Sequence, residues 1–287
     1  MSLADLLTGH RPSIEGTATA DLVRYTDEIL GSGLPGVRRL TGRARSMQLD
    51  GYLARIVDTD FPELGHRVTR PATLRAWLTA YAAATATAAS YTTILNAATA
   101  GDTDKPAKTT TIAYRDVLTR LWLLDPLPGW IPGHHHLARL AQAPKHHLAD
   151  PALAARLLGA TEAGLLHDTV AGLPILPSGA LLGALFESLV TLSVRAYAQS
   201  ADATVHHLRT QSGDHEIDLI VEGPDRRVVA IEVKLGATVE DRDVTHLHWL
   251  RRRLGDSLAD AVVITPGQHA YRRPDGIAVI PATLLGP

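Results

Sequence analysis

Three strand-like segments that follow one another constrain the fold more than any other feature of the chain. They read ATVHHLRT, DHEIDLIVEG and RRVVAIEVKLG, and Gly-containing turns separate them. Short runs rich in Val and Ile between such turns are typical of consecutive β-strands. The segment PSGALLGALFESLVTLSVRAYAQS before them predicts a long helix, and VEDRDVTHLHWLRRRLG, DAVVITPG and GIAVIPA after them predict a helix and two strands. This order predicts an α/β domain with a mixed sheet.

The third strand, VVAIEVKLG, carries an acid and a base inside an apolar run. Side chains alternate along a strand, so Glu232 and Lys234 share one face and Ile231 and Val233 share the other. Lys and Glu are seldom buried without partners. Two explanations therefore stay open at this point: an internal salt bridge on a half-exposed strand, or a metal-dependent phosphodiesterase site.

The middle strand, DHEIDLIVEG, adds carboxylates in the same phase, with Glu216 and Asp218 on one face. If the two strands pair through the short turn between them, Asp218 comes near Glu232 with Lys234 beside it. Neighbouring carboxylates repel one another unless a cation is present. The preceding helix contributes Glu187, an acid among leucines. Oxygen ligands of this kind suit a hard cation such as Mg²⁺.

The N-terminal half of the chain reads as helical. Segments such as TATADLVRYTDEILGSGLPG offer a cap, an amphipathic stretch and a Gly/Pro stop. An Ala-rich pair of helices begins at Pro71, and a third helix and a Pro-rich turn follow. This pattern predicts a winged-helix-like domain, with a plain helical bundle as the alternative. The predicted division is a helical segment at 1–66, a winged-helix-like domain at 67–133 and an α/β domain at 134–287.

Composition narrows the class of protein. The 287 residues include no cysteine, which excludes disulfides and thiolate metal sites. The N-terminus lacks a signal layout and no run approaches 18 apolar residues, so we predict a cytoplasmic protein without a membrane partner. The net charge of −2 means that DNA would have to be held by local basic patches. The candidate phosphate-binding residues are Lys105, Lys108, Arg115, Arg209, Arg251 and Arg252.

The spacing of the charged residues resembles a known nuclease signature. Asp218 followed by Glu232-Val233-Lys234 is similar to the PD-(D/E)XK pattern, and the helix, three-strand, helix, strand order matches that fold. The blocks RLAQAPKHHLADPALAARLLG, GALFESLV, LRTQSGDHEIDLIVEG and VVAIEVKLG resemble, in order and spacing, a prokaryotic family of AAA-type ATP-binding proteins. The C-terminal half of that family is a domain of unknown function with a PD-(D/E)XK-like core. The resemblance covers roughly residues 67–287 well, and the helical segment 1–66 loosely resembles the tail end of the family's ATPase half.

The resemblance implies a Mg²⁺-dependent (or Mn²⁺-dependent) DNA phosphodiesterase. Asp218, Glu232 and the carbonyl of Val233 would ligate the metal, and Glu187 would support it through water. Lys234 would orient or deprotonate the attacking water. The alternative function is a non-catalytic DNA- or protein-binding regulatory module, antitoxin-like or defence-associated, that works with a separate ATPase.

One part of the family pattern is missing. The ATPase half of such proteins carries a G-x-x-x-x-G-K-[ST] loop that holds phosphates, whereas this chain contains no Gly-Lys pair. We therefore expect the chain neither to bind ATP nor to hydrolyse it on its own.

Overall fold

The protein is described from a computed structural model, which covers residues 1–66, 70–100, 108–131, 142–167, 169–170, 173–174, 178–210 and 213–287. Its contacts divide the chain into two compact units. The first unit contains Met1–Thr26, Leu127–Pro144 and Gly179–Pro287, and the second contains Asp27–Pro126 and Lys145–Ser178. Both units are discontinuous in sequence, and neither ends at the limits 66/67 and 133/134 predicted above.

The first unit contains a seven-stranded mixed sheet. Its strands are β1 (Gly16–Thr17), β4 (Thr204–Arg209), β5 (Glu216–Glu222), β6 (Val228–Val233), β7 (Leu258–Thr265), β8 (His269–Arg272) and β9 (Ala278–Pro281). They lie in the order β1-β8-β9-β7-β6-β5-β4. The β6–β7 and β7–β9 pairs are parallel and the other pairs are antiparallel. The fold class predicted from the sequence, a mixed α/β protein with a helical N-terminal half, is confirmed.

The helices of the first unit cover this sheet. They are α1 (Leu3–Leu7), α11 (Ser178–Ser200) and α12 (Thr245–Leu254), with 3-10 turns at Asp241–Val244, Gly255–Ser257 and Ala282–Leu284. The helix α12 connects the parallel strands β6 and β7, because parallel neighbours need a crossover. Its buried residues Leu247 and Leu250 join a core cluster with Ala230 and Val263 of the sheet. One face of the central strands is therefore sealed by α12.

The edge strand β4 also forms backbone hydrogen bonds on its outer side, at the residue His207. His207 donates its N–H to the carbonyl of Pro128 at 3.0 Å and accepts from the N–H of Trp130 at 2.6 Å. The indole Nε1 of Trp130 also donates to Glu222 Oε2 at 2.9 Å. These contacts hold the segment around Trp130 against the outer side of β4.

The long helix α11 is largely apolar. By length and composition, the part Gly179–Ser200 could cross a membrane, and within the described chain no other helix has both properties. Its buried apolar residues are Leu182, Leu185, Phe186, Val190, Val194 and Ala198, and the polar Ser188 and Thr191 are buried as well. Phe186 packs edge-on against Tyr25 with ring centroids 5.2 Å apart. Apolar residues at this helical spacing are typical of a core helix in a globular domain. The cytoplasmic location stays a prediction.

The second unit is mainly helical. It contains α3 (Pro35–Arg38), α4 (Gly42–Arg55), α5 (Phe61–Glu63), α6 (Pro71–Ala83), α7 (Tyr91–Ala98), α8 (Lys108–Arg120), α9 (Pro151–Leu157) and α10 (Glu162–Leu166), a π-helical turn at Ile56–Asp60, and the short strands β2 (Thr169–Val170) and β3 (Leu173–Pro174). The helix α2 (Leu22–Gly31) spans the division between the units. In the aromatic core of the second unit, Trp77 stacks on Tyr81 with ring centroids 5.4 Å apart.

The segment KHHLAD reads in the sequence as a short strand, but in the structure His146 and Leu148 form only isolated bridges, with Thr85 and Leu124. The ring of His146 fixes this segment instead, because its Nε2 donates to the carbonyl of Ala89 at 2.8 Å. The three helices of the predicted winged-helix region, α6 to α8, are present.

Asp150 begins α9, as its sequence position before Pro151 predicts, and it also fixes a distant loop of the same unit. Its Oδ1 accepts from the N–H of Ala152 at 2.8 Å. Its Oδ2 accepts from the Ser32 hydroxyl and from the N–H of Gly33, both at 2.7 Å. The carboxylate is therefore a helix cap and a loop anchor at once.

Replacing Asp150 should destabilise the protein strongly. Asp150→Ala should lower the free energy of unfolding by about 3 kcal/mol, because the helix cap is lost and buried donors are left without an acceptor. Urea denaturation followed by circular dichroism measures this change. The matched control is Asp58→Ala, which removes an exposed ion pair with Arg75 and should cost about 1 kcal/mol or less. Equal losses in the two variants would contradict the anchoring role of Asp150.

Candidate active site at the end of two antiparallel strands

The central feature of the candidate site is the point where the β5–β6 ladder ends. The two strands are antiparallel, as the short turn between them predicts, and Leu219 lies opposite Ile231 in the last regular pair. Beyond it, the N–H of Val233 donates to Asp218 Oδ2 at 2.9 Å. A side-chain carboxylate thus takes the place of a backbone acceptor here, which brings Asp218 against the strand that carries Glu232.

The arrangement of faces is less regular than the sequence predicts. Simple alternation would place Ile217 on the face opposite Ile220, yet both belong to one buried cluster. The register between β4 and β5 shifts between His206 and Leu208, and a bulge of this kind breaks the alternation of side chains. The acid face is also not an open cleft, because α12 packs over it. Glu232 is consequently 2% exposed.

Glu232 and Lys234 form a partly shielded ion pair. Lys234 Nζ donates to Glu232 Oε2 at 2.8 Å, and the lysine side chain keeps 33% of its surface exposed. The second oxygen, Glu232 Oε1, is buried and receives no hydrogen bond from the part of the chain that the structure describes. Lys234 therefore lies between the buried acid and solvent. The oxygen Oε1 of Glu232 has lone pairs available for another partner.

Burial and neighbouring charges set the protonation of this pair. Burial raises the pKa of Glu232 well above its ordinary value, the nearby Asp218 carboxylate raises it further, and Lys234 lowers it. Burial alone would lower the pKa of Lys234, but Glu232 and Asp218 outweigh this and raise it. Two acids and one ammonium group leave the cluster with an excess of negative charge when both acids are ionised. The site therefore favours a cation or a shared proton.

The residues at this site can hold a Mg²⁺ ion with a small number of protein ligands. Across the described ranges, no group of three or more His, Asp or Glu side chains is placed to hold a metal. Mg²⁺ does not need such a cage, because it keeps several waters and usually takes one or two carboxylates together with substrate phosphate oxygens. Asp218, the Oε1 of Glu232 and the carbonyl of Val233 match that requirement.

A cavity of about 660 Å³ lies beside the ends of β6 and β7. Leu235 and Thr238 line it on the side of β6, Pro266 and Gly267 on the side of β7, and Tyr271 from the edge strand β8. Ligands of α/β sheets commonly bind at the carboxyl ends of the strands. Since Leu235 directly follows Lys234, the cavity adjoins the loop that begins at the candidate site.

The fourth predicted site residue, Glu187, lies in the middle of α11 and is partly buried. Its carbonyl accepts from the hydroxyl of Thr191 at 2.8 Å. Its contribution to the site through water stays a prediction.

The predicted phosphate-binding residues are scattered and mostly engaged. Arg209 lies 4.0 Å from Glu216 and forms an ion pair with it. Arg251 donates to the carbonyls of Asp275 at 2.7 Å and Gly276 at 3.3 Å, and burial lowers its pKa. Arg252 is exposed. A loop-anchoring role for Arg251 follows from these contacts, so Arg252 is the better candidate of the two for phosphate.

The remaining basic candidates fall on the second unit or outside the described residues. Arg115 pairs with Asp116 at 3.1 Å and lies over the ring of Tyr91, 5.2 Å from its centroid. Lys105 lies outside the described residues, and of Lys108 only the backbone, at the start of α8, is described.

Two histidines beside the acids were not among the site residues predicted from the sequence. His215 directly precedes β5, and His246 lies in the first turn of α12. Their Nδ1 atoms are 3.2 Å apart, and the electrostatic influence of Lys234 and Asp218 reaches His246. The residues are 31 positions apart, so no local spacing signals the pair. The sequence indicates that His246 lies near the sheet only through the helix that it predicts between β6 and β7.

Fold and site together define a mixed α/β protein with two acids and a lysine at the end of a central strand pair. Two family models match separate parts of the chain. Residues 182–285 match a domain of unknown function (DUF4143), and residues 23–164 match another domain of unknown function (DUF8612). No solved structure matches.

Two curated mycobacterial proteins are similar to this chain. They are the uncharacterized protein Rv2008c of Mycobacterium tuberculosis and the uncharacterized protein Mb2031c of Mycobacterium bovis. Each is 28% identical over 234 residues, which cover 81% of this chain and 47% of the relative. The match therefore spans about half the length of these relatives. The coarse part of the resemblance, a family with domains of unknown function, is confirmed by these comparisons.

The sign of the stability change at Glu232 tests whether the acid serves structure or function. A carboxyl group whose pKa is raised by folding contributes stability that is fully present below its unfolded pKa, near 4.5, and is lost as pH rises through the folded value. In EDTA at pH 7, Glu232→Gln should therefore raise the free energy of unfolding by about 1–2 kcal/mol. Denaturant titrations between pH 5 and pH 8 should show the difference from wild type growing with pH.

The matched control is Asp260, a second buried acid of the same unit. Its carboxylate accepts from Arg272 at 2.9 and 2.8 Å and is fully paired, so Asp260→Asn should lower the stability. A Glu232→Gln variant that is destabilised like Asp260→Asn would identify Glu232 as an ordinary structural salt-bridge partner.

Proposed function

We propose that the first unit is a Mg²⁺-dependent phosphodiesterase of the PD-(D/E)XK type that acts on DNA. The observation that carries this proposal is the buried carboxylate of Glu232 beside that of Asp218, with no hydrogen bond to Oε1 from a donor among the described residues. A buried acid without a full set of donors is costly, and a second acid next to it adds to the cost. A cation-dependent function explains why both acids are present.

The protein's own residues would divide the work as follows. Asp218, Glu232 and the Val233 carbonyl would hold the ion, which, when bound, polarises the scissile phosphate and lowers the pKa of the attacking water. Lys234 has a raised pKa and is an ammonium group at neutral pH. It therefore donates hydrogen bonds: it orients the water and stabilises charge on phosphate oxygens, rather than serving as the base.

Placement of the substrate would use the surroundings of the site. The cavity beside Leu235 and Tyr271 offers room at the strand ends. The exposed Arg252 on α12 offers a positive charge for the backbone of DNA. The lack of a Gly-Lys phosphate loop in the sequence leads us to propose that cleavage by this chain proceeds without ATP.

A non-catalytic regulatory module is the second candidate. The observation in its favour is that Lys234 Nζ donates to Glu232 Oε2 at 2.8 Å, as in a structural ion pair. In this case the unit would bind DNA or a protein, together with a separate ATPase, and would need no metal. Metal dependence therefore discriminates between the two candidates.

Cleavage of plasmid, linear and single-stranded DNA with Mg²⁺ or Mn²⁺ tests the proposal. Asp218→Asn, Glu232→Gln and Lys234→Met should each lower the rate by about 100-fold or more, because each removes a charge that acts on the transition state. The matched control is Asp256→Asn, an exposed acid whose loss should leave the rate within about twofold. Addition of ATP should not change the rate.

Two results would overturn the catalytic proposal. Cleavage by Glu232→Gln at the wild-type rate would show that the activity comes from a contaminant. Absence of cleavage, with DNA or protein binding that is unaffected by EDTA, would favour the regulatory module. Binding of DNA should weaken as salt rises, in proportion to the number of phosphates contacted.

A further inference from the structure

Two imidazole rings face one another next to the acids of the first unit, and neither belongs to the motif discussed above. The Nδ1 atoms of His215 and His246 are 3.2 Å apart, whereas the ring centroids are 5.4 Å apart. Both Nδ1 atoms therefore point inward, toward each other. The planes of the rings are at 81°, so the contact is made by the two nitrogens and not by stacking of the two faces.

Other residues hold these rings in place. His215 stacks on Trp249 with ring centroids 4.1 Å apart and ring planes at 17°. The guanidinium of Arg253 lies over the ring of Trp249, 5.7 Å from its centroid. The backbone of His215 is fixed by Thr210, whose N–H and hydroxyl bond to it at 2.9 and 3.1 Å. His246 is carried by the helix α12. The pair is therefore pre-oriented.

The spacing of the two nitrogens matches a metal chelate. Two nitrogen ligands at about 2.0–2.1 Å from a tetrahedral Zn²⁺ ion are about 3.3–3.4 Å apart, close to the observed 3.2 Å. The same separation permits a hydrogen bond when one ring carries a proton on Nδ1. An ion in place of that proton would require each ring to tilt, because the lone pairs of the two Nδ1 atoms now point at each other and not at a common point beside them.

The surroundings of the two rings favour a dication, because Asp218 and Glu216 act electrostatically on His246. The nearby carboxylates supply negative potential for a dication. Both rings are partly exposed, so an ion can reach them from solvent.

We propose that His215 and His246 bind a transition-metal dication of the Zn²⁺ class through their Nδ1 atoms, at a site separate from the Asp218–Glu232 pair. Imidazole suits such ions, whereas Mg²⁺ prefers oxygen. No third protein ligand completes the set within the described residues, so water or a substrate oxygen fills the other positions. The proposal goes beyond the nuclease activity, and its test requires no cleavage.

Calorimetric titration with Zn²⁺ alone tests the site. The run His134–His136 could compete, so the parent protein should carry Ala at those three positions. We expect one equivalent to bind, and His215→Ala or His246→Ala should each weaken binding at least tenfold. The matched control His269→Ala removes an exposed histidine of the same unit and should change the affinity less than twofold.

Fluorescence locates the ion. Trp249 stacks on His215, so Co²⁺ should quench the tryptophan emission in the parent, and Trp249→Phe should bind Zn²⁺ normally but lose most of the quenching. Glu232→Gln should retain Zn²⁺ affinity even if it abolishes Mg²⁺-dependent cleavage, which separates this proposal from the nuclease proposal.

Three outcomes would overturn the proposal. One is the absence of Zn²⁺ binding in the parent protein. Another is unchanged affinity in both His215→Ala and His246→Ala. The third is a loss in Glu232→Gln as large as that in His246→Ala, which would place the ion at the acid pair. Circular dichroism of each variant confirms that a lost affinity is not lost folding.

Discussion

The parallel pairing of β6 with β7 is the constraint on which the arrangement of the first unit depends, because its crossover helix α12 covers the carboxylate of Glu232. Charged acids are rarely removed from water so completely, and this one is 2% exposed. Parallel neighbours such as β6 and β7 need a crossover connection, here the helix α12, that packs on a face of the sheet. Lys234 at 2.8 Å offsets part of the cost, and the remaining mismatch is what makes the position chemically useful.

Burial of this acid also explains how the surrounding elements are arranged. The same helix that seals Glu232, α12, carries His246 and Trp249 in its first turns, and the loop after β6 leads from Lys234 into the cavity at the strand ends. Ion pairs that are distant from these groups, such as Arg272 with Asp260, are fully paired. Asp218, Glu232 and Lys234 thus lie together at one end of β5 and β6.

The sequence predicts much of this because the decisive contacts are local. Asp218, Glu232 and Lys234 share a ladder across one short turn, so alternation and antiparallel pairing are enough to bring them together. The burial of Glu232 was not predictable, because it depends on how α12 packs. The short strands β1 and β8 were missed because runs of two and four residues carry no reliable pattern. The pair His215 and His246 was missed because only tertiary packing joins two unrelated segments.

The segment that pairs with the outer strand β4 has a consequence for association between molecules. An exposed sheet edge presents unpaired backbone groups to which a strand of another chain can add. In β4 the outward N–H and C=O of His207 are already bonded to Pro128 and Trp130, and the strand at the opposite edge, β1, has two residues. Neither end of the sheet therefore offers a long template for edge-to-edge growth, which protects the folded protein against aggregation by strand addition.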